Sequence, residues 1–381
     1  MGLTSQTLLV VVSLVAVACV VATVWTWPRL AKRHWAAVLG RLGTILVTQL
    51  LTLAALGLVV NNYFSFYASW GDLLGTSGNQ PVTVTNHLST GGGSGPGTVY
   101  QTGVQSLGRV RVAGLGDGGP QQSGVVERVR ISGGRSGLAE DGYVYLPPQY
   151  FRADYAHRRL PVVVALTGYP GDAHNLVTRL NLPKLELDLL GQGRMQPTVL
   201  VLLRPTVTPP RDTECQDVPH GPQAETFFVR DVPKALGQTY RVAAGGHGWG
   251  IIGDSTGGYC ALKLTMRHPE AYSAAVSLSG YYQSAVDATT GDLFGGSARL
   301  RRENDLLWRL RHLASPPVSV LLASSREGEH DYEATQSFIA AVRPPMKVAS
   351  ITLDSGGHNF RTWNRELPVA LPWLAEQLKV G

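Results

Sequence analysis

Hydrophobic positions follow one pattern in the first 60 residues and another after residue 123. Residues 7–27 and 43–60 are apolar and uncharged, and each run approaches the roughly 20 residues that a helix needs to cross a bilayer. The spacer between them contains the basic residues Arg29, Lys32, Arg33 and Arg41. The pattern predicts two transmembrane helices within residues 1–61. Because basic loops stay on the cytoplasmic side, we expect the rest of the chain on the extracytoplasmic side of a cell membrane.

A polar segment follows the two apolar runs. Residues 62–122 are rich in Gly, Ser, Thr and Gln, with the run Gly91-Gly-Gly-Ser-Gly-Pro-Gly97 near their centre. A segment of this composition buries too little apolar surface to order itself, so we predict a flexible linker. Short β-like pieces, such as residues 108–113, are expected to pair only locally.

Short aliphatic runs alternate with helical patterns from residue 123 to the end. Continuous apolar runs are typical of parallel strands covered on both faces, so the pattern predicts one doubly wound α/β domain over residues 123–381. The predicted strands are residues 125–131, 142–146, 160–166, 198–203, 249–252, 274–278, 318–322 and 348–353. The predicted helices are residues 227–236, 259–266, 332–342 and 362–378.

Charge and cysteine content narrow the possible partners. The formal net charge is +6, but four of the 33 basic residues lie in the spacer, and the other 29 nearly balance 27 acidic residues. A nucleic-acid partner is therefore not expected. Cys215 and Cys260 lie in the predicted domain, and in an exported protein they either pair or remain separate thiols. No Cys/His set has metal-ligand spacing, so neither a metal nor a cofactor is expected.

One strand-to-helix junction carries a candidate nucleophile. The apolar residues 249–252 lead into Gly253-Asp-Ser-Thr-Gly257, and a helical pattern follows. Small residues on both sides allow the tight turn that exposes the hydroxyl of Ser255. The N–H of Thr256 would then face a developing oxyanion. On its own, this G-x-S-x-G motif fits a glycine-rich turn with an incidental serine equally well.

A serine nucleophile needs a base, and the base needs a third group that orients it. In α/β-hydrolases the chain order is serine, acid, histidine. His358 follows the last predicted strand and is the candidate base. The acid is expected after residues 318–322, where Glu327, Glu329 and Asp331 lie. We rank Glu329 first, Glu327 second and Asp331, which can cap the next helix, third; the sequence does not separate the first two.

Two further positions are candidates for contact with substrate. The second oxyanion donor is expected after the third strand, where the N–H of Tyr169 is the candidate. Tyr281 and Tyr282 follow the sixth strand and are candidates for substrate binding, because loops at this edge carry function. Ordinary surface packing is the alternative for both tyrosines.

Several of these pieces together resemble the putative-esterase branch of the α/β-hydrolases, which includes esterase D and the mycolyltransferases of actinobacterial envelopes. The matching pieces are Tyr143-Val-Tyr-Leu-Pro-Pro148, Pro161-Val-Val-Val-Ala-Leu-Thr-Gly168, Glu225-Thr-Phe-Phe228, Asp231-Val-Pro233, Gly253-Asp-Ser-Thr-Gly-Gly-Tyr259 and Gly356-Gly-His-Asn-Phe-Arg-Thr-Trp363. The resemblance implies Ser255 as nucleophile, His358 as base, and the N–H groups of Tyr169 and Thr256 as oxyanion hole. The acid loop departs from the commoner Gly-x-x-Asp form. The apolar hairpin resembles membrane-bound actinobacterial members.

The sequence therefore predicts a membrane-anchored, extracytoplasmic serine esterase that acts on carboxylic esters through an acyl-enzyme. One alternative is an acyltransferase, similar to the mycolyltransferases, that acts on an envelope sugar or glycolipid. Another is a catalytically silent envelope-binding protein on a hydrolase fold, which the intact order of serine, acid and histidine disfavours. The expected partners are an ester or acyl-lipid substrate and the membrane. The sequence does not determine the oligomeric state.

Overall fold

The chain divides into two compact units, Met1–Thr90 and Gly91–Gly381. The structure is a computed structural model that describes residues 5–31, 34–64, 70, 101–116, 118–329 and 331–380. Most of the predicted linker, including its glycine run, lies outside the described residues. Lys32 and Arg33 of the basic spacer also lie outside them.

The first unit contains two long apolar helices, α1 (Gln6–Leu30) and α2 (Trp35–Phe64). The two helices contact each other, and Thr23 Oγ1 lies 3.2 Å from Thr48 Oγ1. Only 6 % of the most apolar window of each helix is buried. Helices of this length and composition can cross a membrane. Most of their apolar side chains are exposed, whereas those of a core helix are mostly buried.

The second unit is built on one sheet whose nine strands run in the order β1-β2-β3-β5-β4-β6-β7-β8-β9. The strands are β1 (Gly103–Val110), β2 (Val125–Ser132), β3 (Ala139–Leu146), β4 (Val162–Leu166), β5 (Val199–Leu203), β6 (Trp249–Asp254), β7 (Ala274–Leu278), β8 (Ser319–Glu327) and β9 (Lys347–Ser355). The helices are α3 (Pro120–Ser123), α4 (Ala173–Thr178), α5 (Leu182–Gly191), α6 (Ala224–Thr226), α7 (Val232–Thr239), α8 (Thr256–Arg267), α9 (Ala298–Glu303), α10 (Leu306–His312), α11 (Tyr332–Ala341) and α12 (Phe360–Gln377). A π-helical turn, Phe227–Asp231, joins α6 to α7.

Most of the sheet is parallel. The strands β1, β2 and β3 pair antiparallel, as do β3 and β5, whereas β5, β4, β6, β7, β8 and β9 run parallel to one another. The carboxyl ends of the parallel strands therefore meet at one edge of the sheet, where ligand sites of open α/β sheets form. This topology confirms the predicted α/β-hydrolase fold.

Burial on both faces explains the continuous apolar runs of the central strands. Along β4, Val162, Val164 and Leu166 contribute to one hydrophobic cluster, and Val163 and Ala165 contribute to a second. The first cluster includes side chains of α7, α8 and α11, and the second includes side chains of α4, α5 and α12. Side chains of a strand alternate between faces, so both faces of β4 must be apolar.

All eight predicted strands are present, and β1 is a further strand within the segment predicted as linker. It pairs antiparallel with β2, from Gly103 opposite Ser132 to Val110 opposite Val126. Most of its side chains are exposed. Backbone hydrogen bonds to β2 hold this edge strand, so it does not need the aliphatic composition that identified the others. The ordered part of the second unit therefore begins before residue 123.

The pairing of two cysteines, which the sequence left open, is a disulfide. Cys215 and Cys260 have Cα atoms 5.8 Å apart and are fully buried. The bond joins the segment after β5 to α8, across 45 residues of chain. A loop of that length corresponds to about 4 kcal/mol of stabilisation in the chain-entropy model. The described thiol that remains free is Cys19, in α1.

Candidate active site

Ser255 lies at the sharp turn between β6 and α8. Its backbone has φ 54° and ψ −121°, a conformation that non-glycine residues rarely adopt. A Cβ on Gly253 would lie 2.2 Å from the carbonyl carbon of Gly257, and one on Gly257 would lie 2.2 Å from the carbonyl oxygen of Leu166. Side chains are therefore excluded on both sides of the turn, as the G-x-S-x-G interpretation requires.

His358 reaches Ser255 from the loop between β9 and α12. Its Nε2 lies 2.8 Å from Ser255 Oγ. The next residue, Asn359, caps α12, because its side-chain oxygen accepts from the N–H groups of Arg361 and Thr362. The imidazole also meets the ring of Trp363 edge-on, with centroids 5.4 Å apart. The start of the last helix thus fixes the position of the histidine.

The three candidate acids lie in different surroundings. Glu329 is half-buried and accepts hydrogen bonds from Ser279 Oγ and from the N–H of Ser325, the latter at 3.0 Å. Glu327 is exposed at the end of β8. Asp331 precedes α11, where its carbonyl oxygen, rather than its carboxylate, accepts from Thr335. Glu329, the first-ranked candidate, is therefore the one whose carboxylate accepts hydrogen bonds from residues after β7 and in β8.

Ser279 links this acid to the helix that follows His358. It accepts a hydrogen bond from Trp363 Nε1 at 2.8 Å while its hydroxyl donates to Glu329. Ser279 itself follows β7 with φ 50°, a left-handed conformation. Nothing in the sequence pattern indicated this role for Ser279, because a serine after a buried strand is a common loop residue.

A second carboxyl group, that of Glu366, interacts electrostatically with Glu329. Glu366 on α12 is fully buried, and neither of its carboxylate oxygens has a hydrogen-bond partner among the described residues. Burial, with a further contribution from Glu329, raises the pKa of Glu366 to about 8. Burial also raises the pKa of Glu329, but hydrogen bonds from Ser279 and Ser325 oppose that shift. Near neutral pH, Glu366 is therefore mostly in its neutral form.

The predicted oxyanion loop passes directly beside Ser255. A Cβ on Gly168 would lie 2.8 Å from Ser255 Cβ, and Tyr169 follows immediately. The N–H of Gly168 donates to Asp254 Oδ2 at 2.9 Å, so the residue before the serine fixes this loop. Asp254 is almost fully buried, and burial raises its pKa to about 7. Sequence analysis did not identify Asp254 as a residue that fixes this loop. The available signal was its position, an acidic residue between an apolar strand and Ser255.

The two candidate substrate-binding tyrosines point to different places. The hydroxyl of Tyr281 lies 3.0 Å from Thr256 Oγ1, at the start of α8. The side chain of Tyr282 is 5 % exposed, and its hydroxyl donates to Thr335 Oγ1 on α11. Tyr281 therefore lies beside the turn that carries Ser255, whereas Tyr282 packs into the core. Substrate contact stays a prediction for both.

The part of the chain that the structure describes contains no group of three or more His, Cys, Asp or Glu side chains arranged to hold a metal ion. The hydroxyl of Ser255 lies beside the imidazole of His358, and this pairing is typical of nucleophilic chemistry.

The substitution Glu366→Gln is expected to change how stability depends on pH. The folded pKa of Glu366, about 8, lies above its ordinary value of 4.5. Its contribution to the free energy of unfolding is therefore full below pH 4.5 and is lost as the pH rises through about 8. Glutamine does not titrate, so the variant should gain stability relative to wild type as the pH rises over this range.

Thermal unfolding at a series of pH values measures this difference. Glu376→Gln, at an exposed position of the same helix, is the matched control and should follow the wild-type curve. A difference in melting temperature that is the same at every pH would contradict the assignment.

Comparison with known proteins identifies the family of the chain. The family model described as "Putative esterase" matches residues 140–374. An uncharacterized protein of Corynebacterium glutamicum is 26 % identical over 259 residues, which cover 63 % of this chain and 58 % of that protein. The MPT51/MPB51 antigen of Mycobacterium tuberculosis is 32 % identical over 74 residues, which cover 19 % of this chain and 24 % of the antigen. The chain thus matches less than two thirds of the length of either relative.

Solved structures share the fold of the second unit. An S-formylglutathione hydrolase from Agrobacterium tumefaciens matches with a TM-score of 0.58 at 16 % sequence identity, covering 72 % of this chain and 99 % of that chain. At this identity the likeness establishes the fold alone. The family model, in contrast, covers more than half of the chain and confirms the resemblance drawn from its motifs. The chain therefore belongs to the putative-esterase family and has the α/β-hydrolase fold.

Proposed function

We propose that this protein is a serine esterase in which Ser255 attacks the carbonyl carbon of a carboxylic ester and His358 accepts the serine proton. The observation that carries the proposal is the 2.8 Å contact between Ser255 Oγ and His358 Nε2. It occurs where the backbone is held at φ 54° to expose the hydroxyl. This distance is within the reach that general-base catalysis requires.

The reaction proceeds through an acyl-enzyme. As Oγ bonds to the carbonyl carbon, its proton passes to His358 Nε2 and a tetrahedral oxyanion forms. The N–H groups of Tyr169 and Thr256 donate to this oxyanion. The intermediate then collapses, the ester C–O bond breaks, and His358 returns the proton to the leaving alkoxide. Water, deprotonated by His358, attacks the acyl-enzyme and releases the acid and free Ser255.

Glu329 completes the triad as the acid that stabilises the imidazolium. Two features support it over Glu327. Its carboxylate is bonded to Ser279, which contacts the helix that follows His358, and the neighbouring Glu366 is neutral near pH 7. An ionised carboxylate in this position favours the charged form of the histidine during the attack.

Acyl transfer is the second candidate reaction, because the same acyl-enzyme can pass its acyl group to an alcohol. The partial match to the MPT51/MPB51 antigen and the resemblance to mycolyltransferases favour a sugar or glycolipid acceptor. Product analysis with and without a sugar acceptor separates the two reactions. Formation of the free acid alone would contradict transfer.

We also propose that α1 and α2 anchor the chain in a cell membrane, with the second unit outside the cytoplasm. Both helices are long and apolar enough to span. Lys32 and Arg33 lie between them and Arg29 lies in the last turn of α1, and basic residues at such a junction stay cytoplasmic. The Cys215–Cys260 disulfide supports this orientation, since structural disulfides persist in oxidising compartments.

The substitution Ser255→Ala should abolish reaction with a fluorophosphonate probe, which labels activated serines. Ester hydrolysis should fall by roughly 10³-fold or more, because the nucleophile is lost. Ser273→Ala is the matched control, since Ser273 lies just before the amino end of β7, whereas Ser255 lies at the opposite, carboxyl edge of the sheet. It should label and turn over like wild type. Labelling of Ser255→Ala would contradict the assignment, and absence of labelling in folded wild type would favour the silent binding protein.

The substitution Glu329→Gln should lower kcat by roughly 10²-fold to 10⁴-fold, as loss of the charge that orients a catalytic histidine does. Glu327→Gln makes the same chemical change two residues away and should alter kcat by less than about three-fold, since Glu327 is exposed. Steady-state kinetics on both variants, with thermal melts to verify folding, measure the difference. A larger loss in Glu327→Gln would reverse the ranking.

Protease added to intact spheroplasts that express the full chain should digest the second unit while the apolar helices stay in the membrane fraction. In protein denatured directly from the same cells, Cys215 and Cys260 should react with a thiol reagent only after reduction, because they are paired. Protection of the second unit until the cells are lysed would contradict the proposed orientation.

A further inference from the structure

A group of buried polar contacts lies on the helix that follows Ser255. Thr256, Cys260 and Lys263 are spaced four and three residues apart, so they lie on one face of α8. Residues 212–216 run along this face. Cys215 is bonded to Cys260, and Lys263 Nζ donates to the carbonyl oxygen of Glu214 at 2.8 Å. Two of the three positions are therefore attached to the same short segment.

The third position, Thr256, is attached through Tyr281. The hydroxyl of Tyr281 lies 2.7 Å from Glu214 Oε1 and 3.0 Å from Thr256 Oγ1. A phenol can donate one hydrogen bond and accept another, so the three side chains form a continuous chain. The ring of Tyr281 stacks on Tyr259, with centroids 5.1 Å apart and planes within 15°. This stacking fixes the hydroxyl against the first turn of α8.

The segment is shaped to hold Glu214 in this place. Glu214 and Cys215 both have φ 51°, a left-handed conformation that non-glycine residues keep only when their surroundings impose it. The N–H of Glu214 donates to Asp212 Oδ1 at 3.0 Å, which stabilises the turn. Glu214, Cys215 and Lys263 are fully buried, and Asp212 is almost so. Asp212 and Glu214 of this strained segment, together with Lys263 of α8, are therefore three buried ionisable groups. Burying such groups costs stability without filling the core better than apolar side chains would, which points to a functional reason.

We propose that Glu214 is a positioning residue for the oxyanion hole, which acts through Tyr281 to fix Thr256 and with it the backbone N–H at the start of α8. The proposal rests on the proposed function of Ser255 as nucleophile. An oxyanion donor is effective because its place is set before the reaction begins. Loss of the Glu214–Tyr281–Thr256 chain should therefore slow the chemical step and leave the binding of the unreacted ester nearly unchanged.

Steady-state kinetics on three variants test this chain. Tyr281→Phe and Glu214→Ala should each lower kcat about ten-fold, less than the roughly 10²-fold to 10³-fold loss expected when an oxyanion donor is removed outright. KM should stay within about two-fold of wild type, since ground-state binding is not affected. Glu214→Gln should restore most of kcat, because its amide oxygen can still accept from Tyr281.

Tyr272→Phe is the matched control for loss of a buried tyrosine hydroxyl. Tyr272 is fully buried and donates to the carbonyl oxygen of Phe228 at 2.6 Å, and neither residue takes part in the Glu214 contacts. This variant should lower the melting temperature without lowering kcat. A purely structural role for Tyr281 would make the two phenylalanine variants behave alike.

A trifluoromethyl ketone supplies a second readout, because it bonds to the serine and places an oxyanion in the hole. Its affinity should fall in Tyr281→Phe by the same factor as kcat/KM. Unchanged kcat in both Tyr281→Phe and Glu214→Ala, or a raised KM with unchanged kcat, would overturn the proposal. Fluorophosphonate labelling of wild type in the same preparation separates the two failures. Normal labelling with unchanged kcat overturns only the role of Glu214, whereas no labelling overturns the proposed function and this role with it.

Discussion

Ser255 lies between a buried strand and the first turn of a helix, and its backbone has a φ of 54°. A residue with a side chain keeps this conformation only when its neighbours impose it. The N–H of Ser255 donates to the carbonyl oxygen of Leu278 at 2.9 Å, so β7 holds one side of the turn. A Cβ on Gly253 would clash with Gly257, and a Cβ on Gly257 would clash with Leu166. Such strain costs on the order of 1–3 kcal/mol, and the buried packing of β6 and α8 offsets it. The candidate nucleophile Ser255 is therefore placed by the core of the sheet.

The other parts of the site depend on that placement, because buried hydrogen bonds join loops from different strands. Asp254 holds Gly168 of the oxyanion loop, and Ser279 bonds both Glu329 and Trp363. These contacts connect the ends of β4, β6, β7 and β8 with the first turn of α12. A buried polar group that loses its partner is costly, so each loop is held in one arrangement. The site thus has a preorganised geometry, which favours stabilisation of a transition state.

Sequence patterns predicted the sheet and the order of the candidate residues, because both depend on local features. Aliphatic runs identify strands that are buried on two faces, and the glycines around Ser255 identify a turn without room for side chains. Contacts between distant loops left no such local pattern. Glu214 meets Tyr281 across 67 positions, and Ser279 meets Glu329 across 50. Glu327 and Glu329 share one loop, so only their orientation distinguishes them. The edge strand β1 was missed because its side chains are exposed.

In the proposed reaction, Ser255 carries the acyl group during turnover. Mass spectrometry of the protein, quenched in acid while it hydrolyses a p-nitrophenyl ester in excess, tests this step. We expect a transient increase in mass equal to the acyl group, located on the peptide that contains Ser255, and a burst of one p-nitrophenol per protein chain. Sustained hydrolysis without an adduct, or with an adduct on another residue, would contradict it.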